Sequence, residues 1–237
     1  MRESGDTPRS QESEASGARG RVGSGAPAAL GEVFLARHGQ TLSNLRRRYA
    51  GSSPEPLTPA GRDQAAQLAD RVSGLGITAV WTSEIARAAE TARIVADELR
   101  VPLRLDPRLN EMMMGPWEGR TEDEIAAGHG PAYDTWLSAP DTLVLPGRET
   151  LAQLAARVLP AVREAASAGH KVLLISHVAP IRVSALVVLG IPLSWYKRVI
   201  IQNGDCLRLD LGCSLAERVN GARPMSLRHE VEAGPAA

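Results

Sequence analysis

Short apolar runs alternate with helical segments along this chain, and two of the runs are followed, two residues later, by a histidine. Val33–Ala36 leads into Arg37-His38-Gly39-Gln40-Thr41, and Val172–Ile175 leads into Ser176-His177. Continuous apolar runs of this length are typical of buried strands in a parallel sheet. Because parallel strands end at one sheet edge, where α/β proteins bind ligands, we expect His38 and His177 to lie close together. The pattern predicts an α/β fold with a mostly parallel central sheet.

Helix caps and periodicity predict the remaining elements. Thr58-Pro59 indicates the start of a helix that reaches Gly74, and Ser83 is expected to cap a helix through Leu99. Thr121 opens a capping box for a short helix that stops at Gly128. The other predictions are strands at 78–82 and 101–105, a helix and loop over 131–146 that is a candidate lid, helices over 151–169 and 180–189, and a hairpin of strands 199–202 and 205–211 around Asn203-Gly204.

The length of 237 residues suits a single domain, which we place at residues 30–212. Residues 1–29 are rich in small and charged side chains and nearly lack large apolar ones, so they are expected to form a disordered tail. Residues 213–237 are expected to form a C-terminal extension that is loose from about Met225.

Acidic and basic residues are equal in number, 27 each, and Arg46–Arg48 is the longest basic run. Nucleic acid and anionic membranes are therefore not expected as partners, and a homodimer is left open. The sequence has neither a bilayer-spanning apolar stretch nor the apolar core of a secretory signal. Cys206 and Cys213 fit neither a disulfide framework nor a zinc site, so we expect a cytoplasmic protein with reduced thiols.

Two further segments supply groups suited to phosphate chemistry. The strand that ends at Thr82 is followed by Arg87 in the first turn of the next helix, where backbone N–H groups and a guanidinium both favour an anion. Glu111 lies in the glycine-punctuated loop 109–119 and offers a carboxyl group. Each residue alone also has an ordinary structural explanation, as a solvated helix arginine or a loop acid.

The chain resembles the histidine phosphatase superfamily, the phosphoglycerate mutase-like proteins, over about residues 31–211. The resemblance is carried by six signatures in matching order and spacing: Arg37-His38-Gly39-Gln40-Thr41 with Asn44, Leu57-Thr58-Pro59-Ala60-Gly61, Ser83-Glu84-Ile85-Ala86-Arg87-Ala88, Glu111 with Gly115-Pro116-Trp117-Glu118-Gly119, Pro146-Gly147-Arg148-Glu149, and Ser176-His177. Six signatures together make an accidental match very improbable. The resemblance implies a three-layer α/β/α fold.

The resemblance also implies roles for these residues. His38 is similar to the residue that is transiently phosphorylated, and Glu111 is similar to the proton donor. Arg37, Arg87 and His177 are together similar to the phosphate clamp. The chemistry agrees, because guanidinium and imidazole groups stabilise charge on the phosphoryl oxygens and a neutral histidine is a nucleophile near neutral pH. This chemistry needs neither a metal nor another cofactor.

Three further residues are candidate substrate contacts. Asn44 and Thr41 follow the first histidine and could hydrogen-bond the phosphate, although Thr41 is equally suited to cap a helix. Arg48 is expected to contact the rest of the substrate, against the alternative of a solvated arginine. The chain departs from the family at Gln40, where many relatives carry Glu, and at Val178-Ala179, which replace the usual Gly-Gly after His177.

The sequence favours hydrolysis of small phosphorylated metabolites. Mutases of the family carry basic residues just after the catalytic Glu and a long covering insertion, whereas Met112–Met114 follow Glu111 here and the cover before Pro146 is short. We expect the methionines to form an apolar, adaptable pocket wall, or else to pack against Trp117. The alternatives are a phosphoglycerate mutase-type transferase and a non-catalytic module that binds phosphorylated ligands. Metal binding by the histidines and Glu111 is disfavoured because the arginines would repel a cation.

Overall fold

The computed structural model describes Met1, residues 31–219 and residues 225–233. The strands are β1 Glu32–Arg37, β2 Ile77–Thr82, β3 Leu103–Leu105, β4 Lys171–Ser176, β5 Cys206–Asp210, β6 Leu215–Arg218 and β7 Met225–Ser226. The α-helices are α1 Leu42–Leu45, α2 Pro59–Val72, α3 Ala86–Leu99, α4 Glu122–Ser138, α5 Leu151–Ala166, α6 Val178–Leu189 and α7 Leu227–Ala233. Short 3₁₀ helices span Ser73–Leu75, Pro107–Leu109, Gly115–Trp117 and Leu193–Arg198.

The strands form a mixed sheet in the order β3-β2-β4-β1-β5-β6-β7, in which β1, β2, β3 and β4 are parallel. Arg37 at the end of β1 lies opposite Ser176 at the end of β4, and Thr82 at the end of β2 lies opposite Ile175. The main chain continues this alignment, since the His38 amide donates to the Ser176 carbonyl at 3.0 Å. Three strands therefore deliver their following loops to one sheet edge, as predicted.

Helices cover both faces of the sheet, because apolar side chains point alternately to either side of β1. Phe34 and Ala36 pack with residues of α2 and α3, such as Leu68 and Val95. Val33 and Leu35 face the other way, into a larger core with α5 and α6. The three-layer α/β/α arrangement expected from the resemblance is confirmed.

A close contact between two glycines fixes the loop that follows β1. A Cβ atom on Gly39 would lie 2.1 Å from the Gly61 carbonyl oxygen, and one on Gly61 would lie 2.2 Å from the Gln40 carbonyl oxygen. The Thr58 hydroxyl caps α2 by accepting from the Gly61 amide at 3.0 Å. Only residues without a side chain permit this approach, which packs the loop of His38 against the start of α2.

The predicted strand at 199–202 is wrong. Both edges of β5 are already occupied, by β1 and β6, so residues 199–202 have no place in the sheet. Arginine side chains bind the carbonyl groups of this segment instead: Arg182 donates to Val199 at 2.6 Å, Arg218 to Ile200 at 2.8 Å and Arg37 to Ile201 at 2.8 Å. Asn203-Gly204 forms a turn, but the turn connects an irregular segment to β5 rather than two strands.

Three other boundaries differ from the predictions. The cap of α3 is Ile85 rather than Ser83, whose hydroxyl is used in the site described below. The helix expected to stop at Gly128 does break at His129, whose φ of −140° is non-helical, but it resumes and reaches Ser138. The strand expected at 101–105 is shorter and covers Leu103–Leu105.

The C-terminal segment is more ordered than expected. β6 extends the sheet beyond residue 212, and α7 occupies residues predicted to be loose. Leu227 and Val231, one helical turn apart, are fully buried, and Arg218 forms an ion pair with Glu230 at 2.7 Å. Two well-placed apolar side chains anchor this helix although the segment as a whole is polar. The tail predicted at residues 1–29 lies, apart from Met1, outside the described residues.

Candidate active site

His38 lies directly after β1 with one ring nitrogen fixed and the other available. Its Nδ1 is 2.6 Å from the Gly39 carbonyl oxygen, which only accepts, so Nδ1 carries the hydrogen and donates it. Nε2 therefore has a free lone pair, and Arg87 Nε donates to it at 3.1 Å. Burial, with Arg87 and Arg37 nearby, holds the pKa of His38 well below its usual range. The imidazole is thus neutral at physiological pH, as a nucleophile must be.

Two guanidinium groups act on His38, that of the buried Arg87 and that of the half-buried Arg37. Arg87, 1% exposed in the first turn of α3, donates through its Nη atoms to the carbonyl oxygens of Gly51 and Ser53 at 2.7 and 3.0 Å. Burial lowers the pKa of Arg37 to about 10 and also lowers the pKa of Arg87. Arg37 keeps its proton at neutral pH, and Nε of Arg37 has no hydrogen-bond partner among the described residues. Two cations beside neutral histidines match the double negative charge of a phosphomonoester.

His177 is fully buried at the N-cap of α6, with its ring centroid 5.1 Å from that of His38. The Ser83 hydroxyl donates to Asn110 Oδ1 at 2.8 Å, so it accepts from His177 Nε2, also at 2.8 Å. The hydrogen is therefore on Nε2, and Nδ1 has no partner among the described residues. Burial, with Arg87 and His38, holds the pKa of His177 well below its usual range. The adjacent Val178 begins a regular helix, so the missing glycines do not disturb this geometry.

We expect Ser83→Ala to lower kcat/KM for phosphate esters about tenfold, the cost of one hydrogen bond to a group that becomes charged. Without the hydroxyl, neither the tautomer nor the ring orientation of His177 is fixed. Steady-state kinetics with a phosphatase substrate checks this. Ser184→Ala is the matched control, because it also deletes a buried hydroxyl. That hydroxyl donates to the Pro180 carbonyl oxygen at 2.8 Å and does not contact the site. Equal kinetics for Ser83→Ala and Ser184→Ala would contradict the assignment.

Glu111 provides a carboxyl group that favours its protonated form. Its Oε1 accepts from the Met112 amide at 2.8 Å. Burial raises the pKa of Glu111, and this effect outweighs the opposing influence of that hydrogen bond and of Arg87 and Arg37. A carboxyl group whose pKa is raised in this way is suited to donate a proton to a leaving alcohol.

An ion pair behind the site holds the backbone of Glu111. Arg157 on α5 forms two hydrogen bonds to the carboxylate of Glu149, at 3.0 and 2.8 Å. The same guanidinium donates to the carbonyl oxygens of Arg108 and Asn110, both at 2.9 Å. Carbonyl groups of an irregular loop need such donors, so Arg157 fixes the path of the chain into Glu111. Glu149 belongs to the signature at 146–149, whose role the sequence alone did not reveal.

A cavity of about 540 Å³ joins most of the predicted site residues. Arg37, His38, Arg87 and Glu111 line it, together with Asn44 and Arg48, whereas His177 is fully buried and does not line it, with its ring centroid 5.1 Å from that of His38. The parts of the chain that the structure describes contain no group of three His, Cys, Asp or Glu side chains placed to hold a metal ion.

The three additional candidate contacts differ in their surroundings. Asn44 Oδ1 accepts from the Thr41 amide and from Asn203 Nδ2, both at 3.0 Å, which leaves its own Nδ2 for a ligand. Thr41 is fully buried and does not line the cavity; its hydroxyl accepts from the Asn44 amide and caps α1, the second of the two predicted roles. Arg48 lies at the cavity wall in an ion pair with Glu124 at 2.9 Å.

Methionine and aromatic side chains form the apolar part of the cavity lining. Met112 and Met114 line the cavity and also pack in the core with Trp117, so both predicted roles of the methionine run apply to these two residues. Met113 points outward and is 57% exposed. Trp136, from the segment predicted as a lid, lines the cavity and is held by a hydrogen bond to the Tyr49 hydroxyl at 3.2 Å.

Several residues at the site were not identified from the sequence. Asn203 Nδ2 donates to the His38 carbonyl at 3.1 Å and so ties the loop after β1 to the turn before β5. Ser83 and Asn110 orient His177, and Arg182 and Lys197 line the cavity. Arg182 lies four residues after Val178, which also lines the cavity, and this helical spacing within α6 is the one signal that could have indicated it.

The chain belongs to the histidine phosphatase superfamily (branch 1), whose family model matches residues 33–214. The protein named probable phosphoglycerate mutase GpmB from Enterobacter sp. strain 638 is 34% identical over 181 residues, which cover 76% of this chain and 84% of that protein. The solved structure of the alpha-ribazole phosphatase from Shigella flexneri is similar, with 25% identity, a TM-score of 0.69 and coverage of 82% and 96%. A mycobacterial glucosyl-3-phosphoglycerate phosphatase has 25% identity, a TM-score of 0.69 and coverage of 75% and 90%.

Proposed function

We propose that this protein hydrolyses phosphomonoesters of small metabolites through a phosphohistidine formed on His38. The observation that carries the proposal is the state of the His38 ring. Nδ1 is fixed as a donor to Gly39, while Nε2 keeps its lone pair and faces the Arg87 guanidinium, and the charges of Arg87 and Arg37 help burial to keep the pKa of the ring low. A neutral, oriented nitrogen beside two cations is suited to attack a phosphorus atom whose oxygens the cations bind.

In the first step His38 Nε2 forms a bond to phosphorus and the bond from phosphorus to the ester oxygen breaks. Arg87 must turn its Nε from His38 to the phosphoryl oxygens, which accept more strongly than the imidazole. Glu111 gives its proton to the departing oxygen, and the alcohol leaves. The dianion also favours protonation of His177 at Nδ1, which then donates to the phosphoryl group.

In the second step water attacks the phosphohistidine. Glu111, now a carboxylate, accepts a proton from that water, the bond from phosphorus to Nε2 breaks and inorganic phosphate leaves. Protons and charge return to their starting positions, so the cycle needs no metal or other cofactor. Water can reach the phosphohistidine because the exposed Arg47 is among the residues that line the cavity.

We expect the purified protein to hydrolyse p-nitrophenyl phosphate in the presence of a metal chelator. The mutase alternative, which the GpmB relatives favour, is tested by incubation with 3-phosphoglycerate and a trace of 2,3-bisphosphoglycerate. Release of phosphate is the expected result. Rapid formation of 2-phosphoglycerate without release would establish the mutase instead, and absence of both reactions would favour a non-catalytic binding module.

The proposal also covers location and partners. Cys206 and Cys213 are both free thiols, which fits the reducing cytoplasm. Within the described residues no helix is long and apolar enough to cross a membrane. The partner that the site recognises is a small phosphorylated metabolite.

A further inference from the structure

One wall of the cavity, defined by Arg182 and Lys197, carries two cations that the phosphoryl chemistry does not use. Arg182 comes from α6, and Lys197 comes from the 3₁₀ helix after it. Both line the cavity, and neither forms an ion pair with a carboxylate of residues 31–219 or 225–233. Arg182 and Arg37 donate to carbonyl oxygens only two residues apart, those of Val199 and Ile201, which places this wall near the phosphate clamp.

Aromatic rings pack against both cations and leave their positive charge without a counter-ion. The guanidinium carbon of Arg182 lies 5.0 Å from the centre of the Tyr196 ring, and Lys197 Nζ lies 4.6 Å from the centre of a Trp136 ring. Arg182 uses Nε to bind the Val199 carbonyl at 2.6 Å, and its guanidinium also hydrogen-bonds the Tyr196 side chain. These two bonds use two of its five N–H donors, so Nη donors remain for a ligand. Contacts with aromatic rings favour a cation but satisfy none of its hydrogen-bond donors.

A third cation strengthens the positive field at this wall. Arg148 is 5% exposed, lies 4.2 Å from the centre of a Trp136 ring, and has no partner for Nε or Nη2 among the described residues. The nearest opposing group, Glu122, accepts a hydrogen bond from Tyr49 at 3.1 Å. Burial, with Arg182 and Arg148 adding to it, lowers the pKa of Lys197 to about 8 despite Glu122. The lysine is still mainly charged at neutral pH, and an anion would relieve the repulsion.

We propose that Arg182 and Lys197 bind a second anionic group of the substrate. Resting on the proposed function, this identifies the substrate class as small phosphomonoesters whose alcohol part carries a carboxylate or a second phosphate. The remaining Nη donors of Arg182 suit the oxygens of either group, and Lys197 adds an ammonium group. Met112 and Met114, which line the same cavity, are then available to contact the carbon skeleton between the two anions.

Matched esters test this substrate class. 3-Phosphoglycerate and glycerol 3-phosphate share a three-carbon skeleton and differ in one carboxylate, while fructose 1,6-bisphosphate and fructose 1-phosphate differ in one phosphate. We expect kcat/KM to be at least about tenfold higher for the more anionic member of one pair, and that pair identifies the anion. Equal values within each pair would overturn the inference while the proposed function stands. No hydrolysis of these esters or of p-nitrophenyl phosphate would overturn both.

Variants of Lys197 test whether this wall causes the preference for the more anionic ester. Lys197→Met keeps the stem that packs on Trp136 and should lose most of the preference, mainly through a higher KM for the more anionic ester. Lys197→Arg keeps the charge and should retain it. The control is Arg198→Met, because Arg198 is exposed, lies over Trp195 at 4.2 Å and does not line the cavity. An unaltered preference in a folded Lys197→Met protein, verified by its thermal unfolding, would overturn the assignment.

Discussion

His38→Ala should lower kcat for p-nitrophenyl phosphate by at least about 10⁴-fold, the scale seen when a covalent nucleophile is removed. Arg37, Arg87 and His177 would still bind the phosphoryl group, but no atom would be left to accept it. Water cannot replace Nε2 efficiently, because burial raises the pKa of Glu111 and so favours the form that helps the leaving group over the form that activates water. The His38→Ala variant should therefore still bind inorganic phosphate and vanadate although its turnover is lost.

His170→Ala is the control, because His170 is an exposed histidine before β4 and does not line the cavity. Its kcat should equal that of the unaltered protein. Rapid acid-free quenching during turnover, followed by mass spectrometry, should show one added phosphoryl group on the peptide that contains His38. Substantial turnover by His38→Ala, or a phosphoryl group on another residue, would contradict the covalent mechanism.

The parallel half of the sheet was predictable because each of its strands carries its own signal. Val33–Ala36 and Val172–Ile175 are apolar at every position, as a strand covered on both faces requires. Once both are parallel strands, the meeting of His38 and His177 follows from topology alone. The register of Arg37 opposite Ser176 makes that meeting possible.

The antiparallel half of the sheet was less predictable, because the sequence of one segment does not show which other strand will occupy the sheet edge that it needs. Residues 199–202 have a strand-like composition, but β6 occupies the edge that they would need, and three arginines satisfy their carbonyl groups. α7 was missed for the opposite reason. Its stability comes from two buried side chains, Leu227 and Val231, in a polar segment that shows little periodicity.

The centre formed by His38, Arg87 and His177 was accessible from the sequence because each member follows a strand or opens a helix. The groups that orient this centre were not. Asn203 contacts His38 only because a turn from the far end of the chain lies beside the first loop. Ser83 was interpreted as a helix cap, and the structure uses its hydroxyl to fix His177 instead. Such roles depend on the final packing of segments that are remote in sequence.

Glu111→Gln should lower kcat/KM for alkyl phosphates by about 10²- to 10⁴-fold, the contribution of a general acid. Glutamine has the same shape and can still accept from the Met112 amide, so the fold should be preserved. The loss should be much smaller for p-nitrophenyl phosphate, whose phenolate leaves without a proton. Since kcat/KM reports steps up to release of the alcohol, it isolates this role from the later activation of water.

The pH dependence gives the second readout of this variant. Burial destabilises the carboxylate of Glu111, so the proton stays on to a higher pH than in free glutamate. In the unaltered protein, kcat/KM for an alkyl phosphate should therefore fall as the pH rises through that raised pKa, and Glu111→Gln should lose this limb. Glu84→Gln, which removes an exposed carboxylate, should keep it. An equal loss for alkyl and aryl esters, with the basic limb intact, would show that Glu111 holds the site together rather than donating the proton.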